Sequence, residues 1–256
     1  MLDFLYEAAA IAQAEMHKLL RDPTELLSRA VQPVLWLAVF GQVFSQVRGI
    51  PTGNLRYLDY MAPGILAQSI LFSAIFYGIA IIWERDLGIV HKLLVTPAHR
   101  SALVLGKALA AGLRGLVQAT VVYLVAIALS VAVRWELKQI LTMAAAVFLG
   151  SCIFSTFSLV IACIVKTRER FMGIGQVLTM PLFFASNAIY PLELMPAWLR
   201  SIAAFNPLTY LVDALRGVMI VGGRSAYAQS TSFSVMMLTF VVLLAIASRL
   251  YPGLAR

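Results

Sequence analysis

The sequence predicts an all-α integral membrane protein, and three observations carry that prediction. Apolar residues fill 61% of the 256 positions, while Asp, Glu, Lys and Arg together fill only 12%. A soluble domain carries about 25% charge, so half of that leaves too little polar surface for a body in water. Mean hydropathy is +0.87. The apolar residues also gather into blocks long enough to cross a bilayer, about 20 residues each, divided by short polar turns. The expected fold is a single transmembrane domain over 1–256. It has six transmembrane helices, an N-terminal amphipathic interfacial helix (1–22), a charged cytoplasmic helix (84–99) and re-entrant extracellular helices before the last span (191–220).

In the first segment, Leu5, Ala8, Ala9, Ala12, Met16, Leu19 and Leu20 recur at helical spacing. Asp3, Glu7, His17, Lys18 and Arg21 occupy much of the other side. That pattern fits a helix lying on the membrane surface or docked on a partner. Pro23 ends it, because the residue before a proline is pushed out of the helical region. Asp3, Glu7 and Glu15 leave no uninterrupted apolar stretch for a cleavable signal, so none is expected.

The first span covers Leu26 to Val47, and a polar turn follows over Arg48 to Leu58. The second covers Asp59 to Trp83 and leads into a charged segment, Glu84 to Arg100. The third apolar run, Ser101 to Val133, exceeds what one upright helix needs for about 30 Å of hydrocarbon. It must tilt or project into the cytoplasm. Arg134 to Lys138 forms a turn in which Trp135 suits the interfacial belt. The fourth span is Ile140 to Val165. After the charged run Lys166 to Arg170 the fifth begins near Phe171, and proline and polar residues break the pattern from Pro181 to Gly223. The last span is Phe233 to Leu250.

Six crossings place both termini on one side. With that side cytoplasmic, 12 of the 20 Lys and Arg residues lie inside and 7 outside, with Arg114 inside the third span. The excess matches the positive-inside rule. The net charge of +8 is spread over loops, which excludes the soluble basic face that nucleic-acid binding needs. Cys152 and Cys163 are eleven residues apart on one helix, roughly 16 Å at 1.5 Å per residue, too far for a disulfide. No metal or catalytic constellation is expected around His17, His91 and His99. The run Ser101 to Ala108 has Gly106-Lys107 but lacks the first glycine of a phosphate-binding loop and has Ala108 where Ser or Thr would hold magnesium. An ATPase site is therefore excluded from the chain. Few ionisable residues fall within the spans, which points away from ion-coupled transport. Arg114, the deepest, either snorkels to the cytoplasmic interface or meets an anionic head group. Ala108 with Gly112, and Ala111 with Gly115, stand four apart, a spacing that lets helix backbones approach closely.

Two segments are more specific. Glu84-Arg85-Asp86-Leu87-Gly88, continuing through Leu93-Leu94 to Thr96-Pro97, reads as a short charged helix with an apolar edge and a proline stop. Such a helix can dock into a groove on a cytoplasmic partner. The second segment runs from Pro181 through Asn187, Pro191, Pro196 and Arg200 to Asn206-Pro207-Leu208-Thr209-Tyr210, Asp213 and Arg216. Its pieces are too short and polar to span, and prolines bound them. They fit an outer re-entrant element whose backbone is covered by protein.

In these two segments, in this order on a six-span frame, the chain resembles the type 2 ABC transporter permeases, above all the drug and lipo-oligosaccharide export branch. Glu84, Arg85, Asp86, Gly88, Leu93, Leu94, Thr96 and Pro97 match the family's charged loop, with Ile89 in place of its usual Thr and His91 where an acid is common. Asn206 to Tyr210, with Asp213 and Arg216, match the segment before the last span. The resemblance implies a permease subunit of an ATP-driven exporter of an amphiphilic drug, lipid or glycolipid-like substrate. It implies two six-span units, identical or paralogous, above two ATPase subunits that carry ATP and Mg, with no cofactor in this chain. It implies the plasma (inner) membrane of a prokaryotic cell, with both termini cytoplasmic.

Under the same resemblance, residues 84–99 are the coupling helix, and the N-terminal helix helps form the ATPase contact. Pro191, Asn206, Pro207, Asp213 and Arg216 belong to the outer gate. A path along the interface between two copies, formed mainly by the first, second and fifth spans, would be lined by Phe40, Phe44, Phe72, Phe76, Phe183 and Phe184. The alternatives are a membrane channel or structural subunit without ATPase coupling, or an intramembrane lipid-modifying enzyme. The enzyme needs paired polar residues at one depth, and the sequence offers none.

Overall fold

Helices dominate because a segment in hydrocarbon must pair its backbone polar groups, and a helix pairs them within itself. The computed structural model describes residues 2–21, 31–45, 55–95, 99–165 and 167–255, and among them there is no strand. In order, the helices are α1 (Leu2–Arg21), α2 (Val31–Phe44), α3 (Tyr57–Asp86), α4 (Ile89–Val95), α5 (Arg100–Ala128), α6 (Leu137–Ile164), α7 (Arg168–Phe184), α8 (Ala197–Phe205), α9 (Pro207–Met219) and α10 (Gln229–Leu250). Four of these, α3, α5, α6 and α10, are long and apolar enough to cross a membrane. The expected first and fifth crossings correspond to the shorter α2 and α7. The rest of the expected first span lies outside the described residues.

The fourth expected span, α6, is the hub. It packs against α3, α5, α9 and α10, and 72% of its apolar window is buried, against 11% for α10. Close approach of α5 to α6 explains the small residues at four-residue spacing. A Cβ on Gly112 would fall 2.6 Å from the Phe148 ring, and one on Gly115 would strike the Ser151 side chain. The Cys152 thiol donates to the Ala108 carbonyl at 3.2 Å across the same seam. Both cysteines are free thiols.

Helix α1 docks along the first half of α5. Ala8 and Ala12 are buried there, and a Cβ on Gly106 would lie 2.7 Å from the Ala8 carbonyl oxygen. The helix thus rests on this chain's own third span, while Tyr6 on its other side is 78% exposed. The helices α2 and α7 each bury one stripe of residues four apart: Pro33, Leu37 and Gly41 in α2, and Phe171, Gly175, Thr179 and Phe183 in α7. A π-helical turn over Trp36–Gly41 sets the register of α2. Helix α7 continues one turn past Pro181 before it stops. The ring removes the bond its own N–H would make and crowds the carbonyl four residues back, yet the Pro181 carbonyl still accepts from Ala185 N at 2.8 Å.

Candidate coupling and translocation sites

At 1.5 Å per residue, the 30 residues of α3 reach roughly 45 Å, beyond about 30 Å of hydrocarbon. The excess carries Glu84, Arg85 and Asp86 at the helix's final turn. The charged segment is therefore two pieces and not one helix. Leu87 and Gly88 cap α3 through bonds to Trp83 O and Arg85 O, both 2.9 Å, and α4 follows. Gly88 has φ +73° with nothing within 4 Å of where a Cβ would stand. Only its backbone conformation demands glycine, as at the end of many helices. Leu93 packs inward against the lower core. The apolar side chains that face outward are Leu87, Ile89 and Val95, at 72%, 36% and 86% exposure. Thr96 and Pro97 lie outside the described residues, as does the Leu94 side chain.

The acidic and basic residues of this end are knotted together. Lys107, 3% exposed, donates to Glu84 Oε2 at 2.6 Å and to Glu15 Oε1 at 3.3 Å. Arg114, two turns further along α5, donates to Glu15 Oε2 at 3.0 Å and lies over the Tyr77 ring at 5.3 Å. The Tyr77 hydroxyl donates to the Lys107 carbonyl at 3.1 Å. Arg114 therefore does not snorkel, because α1 brings a carboxylate to it. A second branch leaves the same turn of α3: Asp86 accepts from Arg85 at 2.8 Å and from Arg168 of α7 at 2.7 Å. Arg168 lies over the Trp83 ring at 5.1 Å. His99 joins α1 through its backbone N–H, which donates to Glu7 at 3.0 Å.

A cavity of about 150 Å³ lies beside the knot, lined by Glu15, Tyr77, Ala80, Ile81, Glu84, Lys107 and Arg114. Tyr77 and Arg114 also border a smaller one of about 30 Å³ between α3, α5 and α6. There Gln118 is 1% exposed with no partner on either amide atom. The space fits about two waters at ~15 Å³ each. Lys107, Glu15, Tyr77 and Gln118 escaped sequence reasoning. The only hint was a lysine and a glutamate on the apolar faces of two helices.

Of the six phenylalanines expected on a path, the structure gathers four. Trp36 and Phe40 stack at 4.4 Å, Phe40 and Phe44 at 6.2 Å, and Phe44 meets Tyr57 at 5.7 Å. Trp36 also meets Phe183 edge-on at 6.1 Å, and Phe183 meets Phe184 at 5.4 Å. Phe40 and Phe184 are 43% and 45% exposed, whereas Phe183 is buried. Phe72 and Phe76 stand one turn apart on α3, with Phe76 exposed.

The outer residues fasten α9. The Asn206 carbonyl oxygen caps α9 by accepting from Leu208 N at 3.0 Å, while its amide donates to Leu182 O at 2.6 Å and Ala185 O at 3.2 Å. Pro207 occupies the first helical turn, where a missing N–H costs nothing. Asp213 accepts from Ala226 N at 2.6 Å and Tyr227 N at 3.0 Å. Burial pushes its carboxyl above the usual range, and those two N–H groups pull the other way. Arg216, 4% exposed, lies 3.8 Å from the Tyr60 ring centre and donates to Asn187 O at 2.6 Å. Pro191 caps the short 3-10 turn Leu192–Leu194. Asn187, which the sequence marks only as part of the broken segment, and Tyr60 complete this lock.

Comparison with known proteins places this arrangement. The family model described as ABC-2 type transporter matches residues 6–220. The chain is 30% identical over 216 residues to a transport permease, ycf38, of Cyanophora paradoxa, covering 83% of this chain and 74% of the relative. It is 26% identical over 203 residues to the doxorubicin resistance ABC transporter permease protein DrrC of Mycobacterium tuberculosis, covering 79% and 72%. The multidrug ABC transporter permease YbhR of Escherichia coli is 26% identical over 181 residues, 68% of this chain and 47% of its own length.

Proposed function

The chain belongs to the ABC-2 type transporter family, and on that premise we propose that it is the permease subunit of an ATP-driven exporter of an amphiphile. It works with separate ATPase subunits, which carry ATP and Mg, and with a second copy or a paralogue. It crosses the plasma membrane of a prokaryotic cell six times, with α2 and α7 completing the set and both termini cytoplasmic. The doxorubicin resistance and multidrug names of two relatives support a drug-like cargo.

One observation carries this reading: the α3–α4 corner. Helix α3 overshoots the hydrocarbon, and the corner presents Leu87 and Val95 at 72% and 86% exposure beside a dense ion cluster. Isolated apolar side chains beyond the bilayer, on a turn fixed by Gly88, form a knob suited to a groove on a cytoplasmic protein. The exposed Phe40 beside Trp36 and the exposed Phe184 beside Phe183 support a path between two copies. Residues Asn206 to Arg216, fastened to α3 and α7, support an outer closure that moves as one piece.

The test is purification of the chain with its cognate ATPase, followed by ATP-dependent transport in vesicles. Association and transport are expected. Replacing both Leu87 and Val95 with Asp should weaken ATPase binding at least about tenfold, a loss of about 1.4 kcal/mol, without changing membrane insertion. A chain that never binds an ATPase would instead be a channel or structural subunit.

A further inference from the structure

We infer that Lys107 is a positioning residue for energy coupling, through which the α3–α4 corner acts on α1 and α5. The inference rests on the exporter reading above and deepens it. Glu84 opens the family-like charged loop, and its position suggests an ATPase contact. The structure turns it inward: its side chain is 13% exposed and lies 2.6 Å from a lysine that is 3% exposed. The same ammonium also meets Glu15 of α1 at 3.3 Å.

One buried cation thus touches a carboxylate from each of the two elements nearest the cytoplasmic partner, and it sits on the third span. The Tyr77 hydroxyl on the Lys107 carbonyl fixes that turn of α5 against α3. A buried pair is a poor source of net stability but a strict geometric constraint, because separating its members strands a charge away from water. A shift of the α3–α4 corner therefore cannot leave Lys107 behind, and Lys107 carries α5 and the docked α1 with it. The adjoining cavity of about 150 Å³ gives the knot room to move without breaking.

The test uses the assembled complex with its ATPase. A Cys163→Ser background carries an environment-sensitive fluorophore at Val117→Cys, on the exposed side of α5, or at Leu87→Cys, on the corner. Glu84→Gln with Lys107→Met removes one cation and one anion together, leaving Glu15 paired with Arg114. In the unaltered chain, trapping ATP with vanadate should shift both signals. In the double variant ATPase affinity and the Leu87 signal should persist while the Val117 shift is lost. Lys107→Arg, which keeps the charge and has the cavity to fill, should retain it. A Val117 shift that survives the double variant overturns the inference. So does loss of ATPase binding in that variant alone, which would make Glu84 a docking residue. Failure of the unaltered chain to bind any ATPase would overturn the exporter reading itself.

Discussion

Asn206 shows how much one side chain can hold in a setting without water. Its oxygen caps α9, and its two amide hydrogens serve Leu182 and Ala185 carbonyls at the end of α7. An N-cap is worth about 1 kcal/mol, and each buried carbonyl left unpaired costs about 1–3 kcal/mol. Asn206→Ala should therefore destabilise the protein by at least about 2 kcal/mol. Thermal unfolding in detergent would register it as a clear fall in Tm. Asn206→Asp keeps the capping oxygen and should lie between. Equal Tm values for all three would mean that the bonds do not hold the outer segment. This residue was legible as a motif member, because Asn before Pro is a helix-start signal visible in sequence. Its second duty to α7 was not, because the Leu182 and Ala185 carbonyls become available only where that helix happens to end.

Among elements, α3 shows how packing dictates sequence, pressed on by α5, α6, α7 and α9 along its length. Its Gly64 lets the turn after α7 reach it: a Cβ there would strike the Ala188 backbone carbonyl. Backbone cannot swing aside as a side chain can. Gly64→Ala should cost about 1–3 kcal/mol through overpacking, despite alanine's better helix propensity. Gly173 on α7 is the control, with nothing within 4 Å. Gly173→Ala should be neutral or stabilise by up to about 1 kcal/mol. Tm values in the same detergent decide both, and equal effects would defeat the packing argument. The bounds of such elements were readable because hydropathy is a local property. Asp59 to Trp83 was expected and Tyr57–Asp86 is found. Residues 84–99 read as one charged helix because Glu84 to Asp86 suit either a loop or a helix end, whereas the Gly88 turn divides them between α3 and α4.

At the scale of the whole molecule, α2 and α7 form a broad face that the described residues leave uncovered. Val39 and Val177 are 50% and 70% exposed there. Apolar exposure to lipid carries no penalty, so the face alone does not demand a partner. Under the exporter proposal, a second copy or a paralogue covers it. In a Cys163→Ser background, Val177→Cys should form a disulfide-linked dimer in native membranes under mild oxidation, visible on a non-reducing gel. Leu238→Cys on α10, 65% exposed on a helix with little buried surface, should not. Dimer at both positions would indicate random collision, and dimer at Leu238 alone would place the partner on the wrong side.

Membrane residence, the four long spans, the amphipathic first helix and the two family-like segments were all determined by the sequence itself. Each depends on composition or on neighbours a few residues apart. The charged loop that anchored the functional reading is the feature tertiary structure altered most. Lys107 finds Glu15 across 92 residues, and Arg114 finds it across 99. No local pattern encodes such a meeting. It exists because α1 folds back along α5, and a charge placed in hydrocarbon must find its opposite or not be there at all.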